Sequence, residues 1–460
     1  MKNLTYSILL LFSFGALTAQ SEADCPANLS IFAEFAKVKN YDSAYSPWLE
    51  VKTHCPELNE ATYIYGERIL DHKIKIEEDN SEYISMLSTL YDDWLSYFPT
   101  DRRGRSQRGK IMSAKAQSMM QYETAPMAEI YATFDLAFNS DMESFSNPKA
   151  LESYFKSCYS MFKDGDENIT MDALFSKYED ISEKLLIENE KLSRRFDQLI
   201  KKEENGESLT SREKRTKRIS EVNTLAISQI INNLNVMISS EASCDNLVTL
   251  YRTNFDSNRF DEKWLSRALR QMNVKECSGD PLFVELVEAL HAVSPSAISA
   301  KYLGISSEKS GKNKEAISFF QESLSLEMDD YKKADINYRI SSNFMKRGLK
   351  SQARKYANQA LVHKPSMGKA YILIAGLYAD SANDCGEEDE FEKRAVYWLA
   401  AKTARKAAIV DPSLKEKSRR LEASYNGLAP SKTDIFTQGK AGEVISFDCW
   451  IRSSVTVPNL

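Results

Sequence analysis

Apolar residues recur along most of this chain at intervals of three and four, with polar residues between them, which is the period of an amphipathic helix and not of a strand. The clearest order lies between about 298 and 412, where three segments share one spacing of small residues before a helix stop. Ala316, Phe320 and Ser323 precede Met328; Ala353, Ala357 and Ala360 precede Pro365; Ala400, Ala404 and Ala407 precede Pro412. Offsets of four and three put small side chains on one helix face, where a neighbouring helix can approach closely, and the proline ends the helix. A partner helix lies upstream of each: Leu303-Gly304, Ile340-Ser341 with Phe344, and Tyr371, Ile374-Ala375 and Tyr378. The unit is a two-helix repeat.

The same spacing returns at the amino end. Ala44, Trp48 and Val51 precede Pro56, and Tyr65-Gly66 followed by Trp94 and Pro99 suggests a looser copy, while Leu282 to His291 before Pro295 reads as another second helix. Residues 170–240 differ. Leu185, Leu186, Leu192, Phe196, Leu199 and Ile200 fall on one long charged helix, followed by a polar loop from Lys201 to Lys217 and an Ile- and Leu-rich return helix. The expectation there is a long helical hairpin; a coiled coil needs a longer and more regular heptad. From about 431 the period changes: Ile435-Phe436, Glu443 to Phe447 and Val455-Thr456-Val457 alternate as strands do, predicting a small β-hairpin.

The repeated segments resemble the tetratricopeptide repeat family, which pairs a Leu-Gly and aromatic first helix with a small-residue second helix ending at proline. Met328 in place of proline, and about thirteen extra residues from Asp380 to Arg394 in the third copy, depart from that pattern. The resemblance implies an all-α fold, a right-handed α-α superhelix with a long central helical hairpin and a carboxyl-terminal β-hairpin tail. The expected organisation is a leader over 1–19, helical repeats over 20–166, the long hairpin over 167–243, further repeats over 244–297, three repeats over 298–430 and the tail over 431–460. The tail, with Cys449-Trp450-Ile451, also resembles the endings of uncharacterised repeat proteins exported by Bacteroidota.

Composition agrees with helices: 460 residues carry only 12 prolines and 16 glycines. A net charge of −6 supplies no overall positive field for a polyphosphate backbone, so nucleic acid is not an expected partner. Lys2, the apolar run Tyr6 to Phe14 and the small residues before Gln20 have the layout of a secretory signal peptide cleaved near Ala19–Gln20. That apolar run is too short for a transmembrane helix. The expected location is therefore outside the cytoplasm: periplasmic, cell-surface or secreted.

All seven cysteines follow the expected cleavage site, in a compartment where disulfides persist, and none forms a CxxC pair. The start of the first helix of a hairpin lies beside the end of the second. Cys25 with Cys55 and Cys244 with Cys277 then fall at such positions, and a Cys385–Cys449 bridge pins the tail across the last repeat. Cys158 is left over, as a buried inert thiol.

Candidate chemistry is sparse. Four histidines (His54, His72, His291, His363) are scattered singly, without HExxH spacing, and no nucleophile elbow, Walker loop or dinucleotide fingerprint occurs. No cofactor or metal is expected. Asp164 to Asn168 begins like a calcium loop, but Ile169 and Phe175 stand where the turn glycine and bidentate glutamate belong. Glu387-Glu388-Asp389-Glu390 reads as a solvated acidic loop. Arg102-Arg103-Gly104-Arg105 and Arg212 with Lys214-Arg215 and Lys217-Arg218 are basic stretches able to meet an anionic surface. Asp380-Ser381-Ala382 resembles a short O-glycosylation signal, with Ser381 placed in an inserted loop.

The family resemblance thus implies a non-catalytic scaffold or adaptor whose groove binds other envelope proteins through first-helix side chains, for which Tyr302, Asn337, Tyr338, Tyr371 and Tyr378 are the candidates. The alternatives are a structural subunit of an outer-membrane assembly or secretion machine, with peripheral association to that membrane or its proteins, and an enzyme built on clustered carboxylates or Cys158.

Overall fold

A computed structural model describes residues 24–385 and 389–460. The leader, with Lys2, Tyr6 to Phe14 and the Ala19–Gln20 junction, and Glu387-Glu388 of the acidic loop lie outside the described residues. Among the described residues the fold is all-α apart from one two-stranded sheet, and the chain divides after Ala150 into two compact units.

In the first unit, α1 (Cys25–Lys37) packs on α2 (Tyr41–His54), α3 (Ala61–Ile76) on α4 (Ser81–Tyr97) and α5 (Arg108–Gln121) on α6 (Met127–Ser140). Ala44, Trp48 and Val51 are all fully buried on one face of α2. The Trp48 indole N–H donates to the Thr62 carbonyl at 2.7 Å, which satisfies its one polar atom. Gly66 makes room for that indole: a Cβ there would lie 2.6 Å from Trp48 Nε1. The Asp24 carboxylate caps α1 through the Ala27 N–H, and the Cys25 and Cys55 sulfurs are bonded, with Cα atoms 6.4 Å apart. Helix α7 (Pro148–Lys163) carries the division between the units.

The second unit contains the long hairpin. Helix α8 (Met171–Glu204) starts at a Thr170 cap and α9 (Ser211–Met237) starts at a Thr210–Glu213 capping box. The connecting loop is therefore residues 205–210, shorter than the expected Lys201 to Lys217, because charged helix formers extend both helices and only Asn205-Gly206 breaks them. Next come α10 (Cys244–Asn258), α11 (Glu262–Val274) and α12 (Pro281–Val293), with Cys244 bonded to Cys277.

The repeated segments are α13 (Ala297–Lys309) with α14 (Asn313–Leu326), α15 (Asp330–Lys346) with α16 (Lys350–His363), and α17 (Gly368–Ala379) with α18 (Glu390–Val410). Ala316, Phe320, Ser323, Ala353, Ala357, Ala360, Ala400, Ala404 and Ala407 are all fully buried. Gly304 is the close-approach point of the first pair, where a Cβ would meet the Phe320 ring at 2.5 Å. In the third copy, the first turn of α18 absorbs Glu390 to Arg394, because Asp389 caps it through the Phe391 N–H. Helix α19 (Lys415–Leu428) closes the stack against α18.

The tail opens with a short helix where alternation suggested a strand: Ser431 and Asp434 form a capping box that starts α20 (Lys432–Gln438), and Gly439, at φ +66°, ends it. Local capping overrides the apolar alternation of Ile435-Phe436. The hairpin follows as β1 (Val444–Phe447) antiparallel to β2 (Ser453–Thr456). Ile445, Phe447 and Ile451 pack with Phe391, Ala395 and Val396, and Cys385 is bonded to Cys449.

Candidate partner-binding groove

The small faces of α14, α16 and α18 are consumed in packing, so α13, α15 and α17 present their other faces to a shared cleft of about 500 Å³. Its walls follow helical spacing: Lys301, Ile305 and Glu308 on α13, then Asp335, Tyr338, Arg339, Ser342 and Lys346 on α15, with Lys369 from α17. The charges are unequal. Glu308 meets Arg339 at 3.6 Å and Lys346 at 3.1 Å, and Asp335 meets Lys369 at 2.9 Å. Four cations thus share two carboxylates, and Lys301 has no carboxylate of its own. Burial, and then the positive charge of Arg339, push the Lys301 amine down to about 8.

Of the five aromatic and amide positions picked from sequence, the structure places only Tyr338 in this cleft, half-buried, with the Lys369 ammonium 4.5 Å from its ring centroid. Tyr302 and Asn337 are 4% and 1% exposed and belong to the packing between helices. Tyr302 meets Phe283 edge to face, and burial pushes its hydroxyl up to about 12. Tyr371 is buried against Phe196 and Ile200 of α8. Tyr378 is covered by the tail, with the Trp450 ring 6.0 Å away. The charged groove residues Lys301 and Glu308 are not marked by the sequence pattern, because α13 buries Ser299, Gly304 and Ser307 as well as Ala300, Tyr302 and Ile305 and so shows little apolar contrast between its faces.

Helix α8 leaves the cleft open because it packs elsewhere, along the turns that enter α15 and α17. Asp197 is 5% exposed; its carboxylate accepts the Tyr331 hydroxyl and the Ser366 N–H at 2.7 Å, and burial pushes it above its ordinary value. Arg194 reaches Asp329 at 2.6 Å and Glu204 meets Lys406 at 2.8 Å. At the other end, Arg267 joins Asp180 and Glu183 at 2.5 and 2.8 Å, and Arg270 joins Glu183 at 2.7 Å and also Glu179.

Groups considered for chemistry are dispersed. Cys158, outside the three disulfides, is fully buried in α7. His54 faces Glu50, His72 faces Asp42, His291 faces Ser299 and His363 faces Asp330, each in a different place. Among the described residues no group of three or more His, Cys, Asp or Glu side chains is placed to hold a metal ion. Ser381 is not available for glycosylation: it is fully buried, its hydroxyl donates to the Leu377 carbonyl at 2.8 Å, and it accepts the Trp450 indole N–H at 3.1 Å. No described helix is long and apolar enough to cross a membrane.

The described helices pack as tandem antiparallel pairs. No family model matches the chain. Over 105 residues it is 30% identical to the photosystem I assembly protein Ycf3 of Cyanophora paradoxa, which covers 21% of this chain and 61% of that protein. The chain thus spans less than two thirds of the length of that curated relative. Among solved structures, yeast Tom70 aligns over 90% of this chain and 93% of its own at 10% identity and a TM-score of 0.26. The anaphase-promoting-complex assembly of Cut9 with Hcn1 aligns over 87% and 96%, at 10% identity and a TM-score of 0.25. At that level of superposition no partner or activity carries across.

Proposed function

We propose that this chain is a non-catalytic adaptor of the cell envelope whose α13–α15–α17 groove takes a negatively charged segment of a partner protein. The observation that carries this reading is the charge imbalance of an open cleft: Lys301, Arg339, Lys346 and Lys369 face only Glu308 and Asp335. A carboxylate seated between Lys301 and Arg339 relieves their mutual repulsion and strengthens the hold of Lys301 on its proton, which burial weakens. The leader-like amino end and three disulfides, which persist in oxidising compartments, support an exported location.

The test is photo-cross-linking from position 338 in native cells, followed by identification of the adduct. Parent protein should capture a discrete partner through an acidic segment, and the pair Lys301→Glu with Arg339→Glu should weaken that complex by about a hundredfold in a binding titration. Affinity should also fall as pH rises through about 8, where free Lys301, set among Arg339, Asp335, Lys332 and Arg270, loses its charge. Capture through a segment without acidic residues, or an affinity indifferent to the double charge reversal, rejects the reading. Recovery of a fixed stoichiometric complex with outer-membrane or secretion components would assign the same groove to a machine subunit instead of an exchanging adaptor.

A further inference from the structure

The outer face of α9 is a second surface, separate from the groove. Ser220, Ile227, Ile230 and Leu234 turn inward and are buried, whereas Val222, Leu225 and Val236 are 59%, 37% and 64% exposed on the opposite side, and Ile219, 47% exposed, lies on the flank between them. The amino-terminal turns of that outer side carry Lys214, Arg215 and Arg218, with Arg212 on the same flank as Ile219. Residues 201–218 hold seven Lys and Arg against four Glu, in a chain whose net charge is −6. Three of those four glutamates are engaged: Glu213 with Lys202 at 2.9 Å, Glu203 with Lys217 at 2.7 Å and Glu204 with Lys406 at 2.8 Å. Arg212, Lys214, Arg215 and Arg218 are exposed and reach no carboxylate among the described residues.

We propose that this outer face of α9 docks on an anionic lipid bilayer. The surface carries cations and branched aliphatic side chains on the same turns, the arrangement of a basic helix lying in a headgroup layer. Long Arg and Lys stems place their charges at phosphate level while Val222 and Leu225 enter the boundary below. An acidic remainder repelled by the same bilayer turns the basic face toward it. Insertion is limited to the outer row, because the inner row is held against the rest of the unit; the contact is peripheral and driven mainly by charge.

Co-sedimentation of the full chain with phosphatidylglycerol–phosphatidylethanolamine vesicles, against phosphatidylcholine vesicles, tests the proposal. Since a hydrophobic leader partitions by itself, the readout is the difference between parent and variant chains. Arg212→Glu with Arg215→Glu and Arg218→Glu should lower partition onto the anionic vesicles by about a hundredfold. Val222→Ser with Leu225→Ser should lower it about fivefold with the charges intact. Both variants should keep the parent circular dichroism and melting temperature, as exposed substitutions do. Equal binding to both vesicle types, or partition unchanged by the charge reversal in a folded variant, overturns the proposal; capture of an acidic protein by this face without any binding to vesicles also overturns it.

Discussion

Replacing Gly109 by alanine is expected to destabilise the first unit by about 3 kcal/mol. A Cβ at this position would lie 2.1 Å from the Asp141 carbonyl oxygen and 2.9 Å from the Phe145 nitrogen. Both are backbone atoms, so no rotamer change relieves the clash, and α5 must draw away from the turn after α6. That movement breaks the contacts that start α5: the Gly109 N–H donates to the Asp141 carboxylate at 3.2 Å and the Lys110 N–H to the Ser144 hydroxyl at 3.1 Å. Urea unfolding followed by amide hydrogen exchange in α5 and α6 measures the loss. Gly104→Ala is the control: at φ +75° it meets nothing within 4 Å, and only backbone strain of about 1 kcal/mol is expected. Equal effects at the two positions would refute the close-approach argument.

The same turn has a pH signature. Burial opposes ionisation of Asp141, but hydrogen bonds from Ser144, Ser106 and the Gly109 N–H outweigh it and hold the carboxyl below its ordinary 3.8. The folded value being lower than the unfolded one, the stabilisation is present above about pH 4 and is lost as pH falls through the depressed folded value. Asp141→Asn should therefore flatten the acid limb of the first unit's stability curve; an unchanged limb would show that the charge contributes nothing.

Cys385→Ser together with Cys449→Ser should release the tail. The bridge closes a separation of 64 residues, for which chain entropy alone gives about 4 kcal/mol. Several non-covalent contacts remain: the Arg354 guanidinium donates to the carbonyls of Trp450, at 3.1 Å, and Ile451, and its carbon lies 5.0 Å from the Trp450 ring centroid. Amide exchange in β1 and β2 should accelerate in the variant while α13 to α16 stay protected. Protection of the strands equal to the parent's would mean that those remaining contacts suffice.

Helices with small residues at four-and-three spacing were legible because burial of Ala353, Ala357 and Ala360 leaves a periodic trace. The long hairpin was legible in length, from the apolar row Leu185 to Ile200, but not in what it packs against. That depends on Asp197, Arg194 and Glu204, whose partners lie more than a hundred residues away and leave no local period. The groove is hidden for a related reason: the aromatic residues of the first helices are the side chains that burial, α8 and the tail claim first. The exposed charges that remain carry no sign in the chain of which cleft they face.

Helix α8 touches α11 at one end and α15, the α16–α17 turn and α18 at the other. Repeats stacked only on their neighbours come apart one at a time from the ends. A continuous rod fastened across non-adjacent repeats forbids that zipper: freeing α17 means breaking α8 from α15 and α18 as well. The second unit should then lose its structure in one concerted step, and its groove should hold a fixed width where an unbraced stack would stretch.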